Sequence, residues 1–465
     1  MSAHASSATR RRGALAALFL ALFAATQALL WYAYYGRGAK ALIGDEQHYQ
    51  ASAQAILAGG DWMPSAIWPP LQPLLLAATY ALAGPHLLAV QLVQTLLLIA
   101  CAALLRDLWR RLGGSVAAAN TAAALFLLNP AIAAYAQWLW PEIPHLALLL
   151  AALCLLARAA SAWRAFAAGA CVGLAILAKS LLSAFWPLFL LVFVRRERPY
   201  LAWRPAALCV LGLALVTAPA LVHGWRSYGR PMIADSSVYN LWVGLTDRWR
   251  SDYVEDMGGA TLPAYLASGA TPAERNAVYL AKVRALVAER GLVATLGEQL
   301  GRQYFRLFSA KTLLVSQLPG AACAGHLSVY RTPPWLTRTL TFANAFFHAL
   351  LLAAAAFGLA CWRRRPDRLA VVVALFLAYQ LALFALIHVK ARFLVPMLPF
   401  LCGFAGSFLA ALRARLFNAQ PSVIAAATPP ALELTPPRFA LGALLAALLL
   451  FLAFAGPALD HLCAA

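Results

Sequence analysis

Charge is what this sequence has least of. Only 12% of its 465 residues are Asp, Glu, Lys or Arg, and 63% are hydrophobic. A soluble domain carries about 25% charged and about 45–50% apolar residues, so two soluble domains of this size are excluded. Acids are the scarcest charge, 17 against 37 basic residues, for a net charge of +20. The eight cysteines show no CxxC spacing, and Cys101, Cys154, Cys171, Cys209, Cys361 and Cys402 lie in apolar segments. That leaves no disulfide or zinc framework and reads as small buried hydrophobes. There is no Gly-rich nucleotide loop, which argues against direct use of ATP. There is also no internal repeat of the kind that marks many secondary transporters.

What the chain has instead is a succession of apolar stretches near bilayer length. They fall near 13–35, 85–105, 114–130, 142–158, 165–178, 180–194, 205–223, 337–361, 369–388, 393–413 and 439–457. The expected class is an all-α polytopic membrane protein with about eleven spans, within a range of about 10–13. Arg10–Arg12 precede the first stretch, which is longer than a signal core of about 7–15 residues and ends in Trp31, Tyr32, Tyr34 and Tyr35. It reads as a retained helix with an aromatic belt. The short segment 69–83, opening with Pro69-Pro70, reads as a juxtamembrane helix lying at the outer surface.

Arginine sets the expected orientation and explains the basic excess without nucleic acid. With the N-terminus cytoplasmic, the short inner loops collect Arg106, Arg110, Arg111, Arg158, Arg164, Arg195, Arg196, Arg198, Arg204, Arg363–Arg365, Arg368, Arg413, Arg415 and Arg438. The short outer loops hold only Arg37, Lys40, Lys179, Lys390 and Arg392. Three parts follow: an N-terminal membrane module 1–223 with an outer loop 36–84, an extracytoplasmic segment 224–336, and a C-terminal membrane module 337–465. In the second, Thr271-Pro272-Ala273-Glu274 reads as a capping box that opens a helix to Glu289, broken at Gly291. An amphipathic piece then runs to about Leu314. The inner linker 416–437 is proline-punctuated and reads as flexible.

Three features carry chemistry. Asp45-Glu46-Gln47-His48-Tyr49 opens an expected helix over 45–57, with Asp45 and Tyr49 on one face. A carboxylate beside a His and a Tyr suits a general base with orienting partners; equally, Asp45 could cap the helix while Glu46 favours its positive end. Glu142, in Trp138-Leu139-Trp140-Pro141-Glu142, starts a span at its outer end and is either functional or an interfacial acid. Lys390 and Arg392, with Lys179, reverse the arginine bias on the outer side. They either snorkel or bind an anion, and Arg can grip phosphate oxygens as a bidentate fork. His86, His223 and His326 lack metal spacing. Tyr239, Asn240 and Trp242 are weaker candidates to stack on a sugar or an acceptor.

With these residues in view, the chain resembles the GT-C superfamily of membrane glycosyltransferases. The likeness is greatest to the group of protein O-mannosyltransferases and lipid A aminoarabinose transferases. The elements that match, in order, are Asp45-Glu46-x-x-Tyr49, Pro69-Pro70-Leu71, Gly173-Leu174-Ala175-x-Leu177-x-Lys179 and Arg392-Phe393-x-x-Pro396-x-x-Pro399. Trp68 stands where some members carry Lys, and Glu142 where many carry Asp.

The resemblance implies an inverting transfer of a sugar from a polyprenyl-phosphate carrier to a lipid, glycan or protein acceptor. It implies catalytic Asp45, Glu46 and Glu142, and substrate-binding His48, Tyr49, Lys179, Lys390 and Arg392. Partial burial is expected to raise the pKa of Asp45. No cofactor is expected; some members use a divalent metal, but no third well-placed carboxylate is visible. The partners are the lipid-linked donor, the acceptor and membrane lipids, and the expected location is a bacterial inner membrane. A transporter or flippase, or a non-catalytic scaffold, are the rival readings.

Overall fold

The computed structural model describes residues 2–36, 38–158, 161–194, 201–246, 261–310, 330, 332–362, 367–416 and 432–460. Arg37, Arg195, Arg196, Arg198, His326, Arg363–Arg365 and most of the linker 416–437 lie outside them. Among the described residues the protein is helical, with no strand beyond two isolated bridges.

The first module runs through α1 (Ser2–Tyr35), α2 (Asp45–Leu57), α3 (Leu71–Ala83), α4 (Leu87–Arg111), α5 (Val116–Leu127), α6 (Pro130–Tyr135), α7 (Glu142–Leu156), α8 (Ala162–Ala178) and α9 (Trp203–Tyr228). A middle segment follows, with α10 (Ser237–Thr246), α11 (Leu262–Ala267), α12 (Pro272–Arg290), α13 (Leu292–Gln303) and α14 (Phe305–Phe308). The last module holds α15 (Pro334–Ala360), α16 (Arg368–Phe384), α17 (Leu398–Leu416) and α18 (Pro436–Asp460). Among the described residues, six helices are long and apolar enough to cross a membrane, and five more are apolar but shorter. Every expected span falls on one of these helices except 180–194.

That stretch departs from expectation. Lys179 adopts extended backbone (φ −155°, ψ 118°) and ends α8, and two 3-10 runs follow, Ser180–Leu182 and Trp186–Phe193. Pro187 lacks an N–H to give to an α-helical ladder, which favours the tighter, shorter form. The 69–83 helix is present as α3; at 13 residues it measures about 20 Å, short of a hydrocarbon core of about 30 Å. The capping box of α12 forms as expected. Thr271 Oγ1 accepts from the Glu274 N–H, and the Glu274 carboxylate accepts from the N–H of Thr271 and of Ala270 (2.8 Å).

The bundle has two unlike ends. Arg110 and Arg111 close α4, Arg164 sits in the first turn of α8, Arg204 in that of α9, and Arg413 and Arg415 close α17. At the arginine-poor ends α7 starts, α8 stops and α16 stops, and these termini meet α2 and α10 around one cavity.

Candidate active site

The cavity is about 170 Å³ and draws its walls from regions far apart in the sequence. Asp45 and Tyr49 come from the first turns of α2, Trp68 and Pro69 from the turn before α3, and Glu142 and Lys179 from the facing ends of α7 and α8. Ser236, Tyr239 and Asn240 form a roof at the start of α10, and the stretch from Phe384 to Phe393 supplies Lys390 and Arg392.

Local backbone explains why these side chains converge. Gly44 precedes α2 with φ 57° and ψ −127°, a conformation that only glycine adopts without strain, and it turns the chain so that Asp45 is the first helical residue. Glu142 is likewise the first residue of α7, after Pro141. Both acids therefore sit at positive helix ends, and Lys179 caps the negative end of α8. The Arg392 loop is braced from above. Asn240 O accepts the His388 N–H at 2.8 Å. A Cβ on Gly244 would lie 2.5 Å from the Ile387 carbonyl carbon, so α10 can press this closely only with glycine there.

The charged groups form one cluster. Arg392 Nη2 lies 2.7 Å from Asp45 Oδ2, and Arg392 Nε lies 3.9 Å from Glu142 Oε1. Glu142 Oε1 also accepts from Lys179 Nζ at 2.8 Å. The guanidinium stacks over Trp140, 4.6 Å from the ring centroid, and Lys179 Nζ lies 4.9 Å from that of Phe393. Among the described residues, three cations line the cavity with two carboxylates, a net positive charge. Glu142 Oε2 and Arg392 Nε are buried without a hydrogen-bond partner. Atoms left so cost about 1–3 kcal/mol each and favour a substrate or water that supplies the missing contact.

The electrostatics of Asp45 reverse the expectation. Burial does push its carboxyl up, but the Arg392 guanidinium, then Lys390 and His48, outweigh it and hold the pKa below the ordinary value. The group is ionised throughout the physiological range.

Two residues expected in the site stand behind it. Glu46, expected as a catalytic carboxylate, is turned out of the cavity and fully buried. It pairs with Lys40 and accepts from the backbone N–H of Leu139 (3.0 Å) and Ile43 (3.2 Å). Lys40 in turn lies over the rings of Trp138 (4.6 Å), Tyr330 (5.7 Å) and Tyr34 (5.8 Å). Glu46 thus ties the start of α2 to the turn that carries Glu142. His48, expected to bind substrate, stacks on Trp68 with ring centroids 4.5 Å apart and is not part of the cavity wall. Tyr49, Glu142, Lys179, Lys390 and Arg392 all line the cavity with Asp45. So do Tyr239 and Asn240, while Trp242 packs on Tyr279 instead. His86 precedes α4 and His223 lies 3.3 Å from Asp61, both outside the cavity wall. Sequence reasoning missed Ser180 in the wall and Trp140 beneath Arg392. Among the described residues, no three His, Cys, Asp or Glu side chains are grouped to hold a metal ion.

Breaking one half of a buried ion pair leaves a bare charge. Glu46→Gln and Lys40→Met are each expected to destabilise the protein by about 3–5 kcal/mol, and the double variant by less than either. Denaturant unfolding in detergent micelles, followed by intrinsic fluorescence, measures this. A double variant as unstable as the sum of the two would mean that the pair is not coupled.

Known proteins frame this geometry. Residues 68–223 match the family of dolichyl-phosphate-mannose-protein mannosyltransferases. No curated protein matches the sequence. Among solved structures, the oligosaccharyltransferase of Archaeoglobus fulgidus in its apo form superimposes with a TM-score of 0.50 at 13% identity, over 94% of this chain and 56% of that one. The same organism's AglB, solved with an inhibitory peptide and a dolichol-phosphate, gives 0.48 at 13% over 95% and 56%. ArnT from Cupriavidus metallidurans in the apo state gives 0.39 at 18% over 86% and 79%. The chain thus spans little more than half the length of the archaeal enzyme, whose fold it shares. The chain thus resembles the dolichyl-phosphate-mannose-protein mannosyltransferase family over 68–223, and the archaeal oligosaccharyltransferase in fold.

Proposed function

We propose that this protein is an inverting glycosyltransferase that moves a sugar from a polyprenyl-phosphate carrier to a hydroxyl of a lipid, glycan or protein acceptor, on the non-cytoplasmic side of the membrane. One observation carries the reading: Arg392 lies between Asp45 and Glu142 in a cavity that also holds Lys179 and Lys390. The side is supported by the arginines gathered at the opposite end of the bundle.

The chemistry follows from charge. A polyprenyl-phosphate sugar is a phosphodiester with one negative charge, which suits the net positive cavity. Its phosphate oxygens compete with Asp45 for the fork of Arg392. Once Arg392 turns to phosphate, the pull that lowers Asp45 weakens and the carboxylate becomes a better base. The acceptor oxygen attacks the anomeric carbon, the carbon–oxygen bond to phosphate breaks, and the acceptor proton passes to Asp45. The departing polyprenyl phosphate gains a second negative charge, which Arg392, Lys179 and Lys390 stabilise as it grows. Glu142 holds Lys179 in place at 2.8 Å and limits its reach. A single displacement inverts the anomeric centre.

The test is direct. Purified protein in sealed vesicles receives a polyprenyl-phosphate sugar and a pool of candidate acceptors, and the lipid and aqueous phases are analysed by mass spectrometry. A covalent sugar product together with free polyprenyl phosphate is expected. Movement of the intact donor or sugar between compartments with no new covalent product would replace this reading with transport.

A further inference from the structure

Helix α13 has its polarity turned outward. Its buried side carries Thr295, Gln299 and Gln303, one per turn, each at most 2% exposed. Its open side carries Val293 and Leu300, exposed by 86% and 41%, and Leu292, the first residue of the helix, is exposed by 57%. A helix resting on a water-facing surface places these residues the other way round. The buried amides are in use: Gln299 Nε2 donates to the carbonyls of Phe384 (3.2 Å) and Ile387 (3.1 Å), and Gln303 Nε2 to that of Gly244 (2.6 Å). Away from the leucines, Glu298 is matched by Arg290 at 3.0 Å and Arg302 at 2.8 Å.

The next residues fix the depth. Tyr304 donates its hydroxyl to Leu381 O at 3.0 Å, three residues before α16 ends. Phe305 packs on Phe451 with ring centroids 5.8 Å apart, and Phe308 O bonds His348 Nε2 at 2.7 Å. Phe451 is fifteen residues into α18 and His348 fourteen into α15, each about 20 Å along a spanning helix. The chain that leaves α13 therefore sits well inside the bundle's apolar belt.

We propose that α13 lies in the headgroup–acyl boundary of the leaflet nearest the cavity, with the Val293–Leu300 face covered by lipid acyl chains. An interfacial helix buries its apolar face about 5–10 Å into that boundary and keeps its charges at headgroup level, as the Glu298 trio would be. The segment 224–336 is then not wholly extramembrane. Its polar side holds the carbonyls next to the Lys390–Arg392 stretch, so the bilayer itself braces that stretch. This inference is independent of glycosyl transfer.

Photocrosslinking tests it in the full-length protein. A diazirine-bearing leucine analogue replaces Val293, Leu300 or, as the water-facing control on α12, Arg284. Vesicles of phosphatidylethanolamine and phosphatidylglycerol are irradiated and the intact protein is weighed. Phospholipid-mass adducts at 293 and 300 are expected at about tenfold or more the yield at 284. Equal lipid yield at all three positions, or a covalent dimer as the main product, overturns the proposal, the latter by showing that a second copy covers that face.

Discussion

Asp45→Asn is expected to lower kcat for sugar transfer by about 10²–10⁴-fold, the usual effect of removing a general base, and at the same time to lower KM for the lipid donor. The two changes share a cause. In the proposed mechanism Asp45 is both the proton acceptor and the anion that occupies Arg392, 2.7 Å away, before substrate arrives. Asparagine removes the base and also removes the competitor, so phosphate meets a less encumbered guanidinium. Its amide oxygen can still accept from Arg392, so the unfolding midpoint should move little. Steady-state kinetics with donor as the varied substrate reads the split. An unchanged kcat would remove Asp45 from the reaction. A raised KM would show that Asp45 helps to hold the donor rather than compete with it.

Arg392→Ala is expected to reduce kcat/KM for the donor by about 10²–10³-fold or more, the range seen when one preorganised donor of transition-state stabilisation is lost. Arg392→Lys should recover only part of this, because a lysine supplies charge without the fork. The alanine variant also moves Asp45. Without the guanidinium, the opposing effect of burial prevails and the carboxyl pKa rises. In the native protein the pairing stabilises the fold above the ordinary Asp pKa of about 3.9 and is lost as pH falls through the lower folded value. The acid limb of residual activity in Arg392→Ala should therefore shift to higher pH than in the native protein. A limb that stays in place would mean that Asp45 does not set it.

Much of this site was legible because charge is so rare in the chain. Lys179, Lys390 and Arg392 stood out as cations on the side where arginine is scarce, and all three line the cavity. The bounds of α2 match the expected 45–57, and the α12 capping box was readable from four consecutive residues. Asp45 and Glu46 could not be told apart in advance. They are neighbours about 100° apart on a helix, and what separates them is Lys40 and the Leu139 N–H, 93 residues further on. The same limit hid the role of His48, which depends on where Trp68 falls. The amphipathic character of 292–303 was visible, but not that its polar side would be the one covered. The break after α8 depends on Lys179 leaving helical geometry beside Glu142, a contact across 37 positions.

The α10 roof is pinned at two points: at one, Asn240 O receives the His388 N–H, and at the other the Asp235 N–H donates to Ala66 O at 2.6 Å, with Arg275 holding the Asp235 carboxylate at 3.2 Å. Ser236, Tyr239 and Asn240 thus line the cavity on a platform whose anchors are separate from Asp45, Glu142, Lys179 and Arg392. Under the proposed function, selection could swap these three side chains and retarget the protein to new recipients, while the groups assigned to cleaving the carrier bond stay as they are.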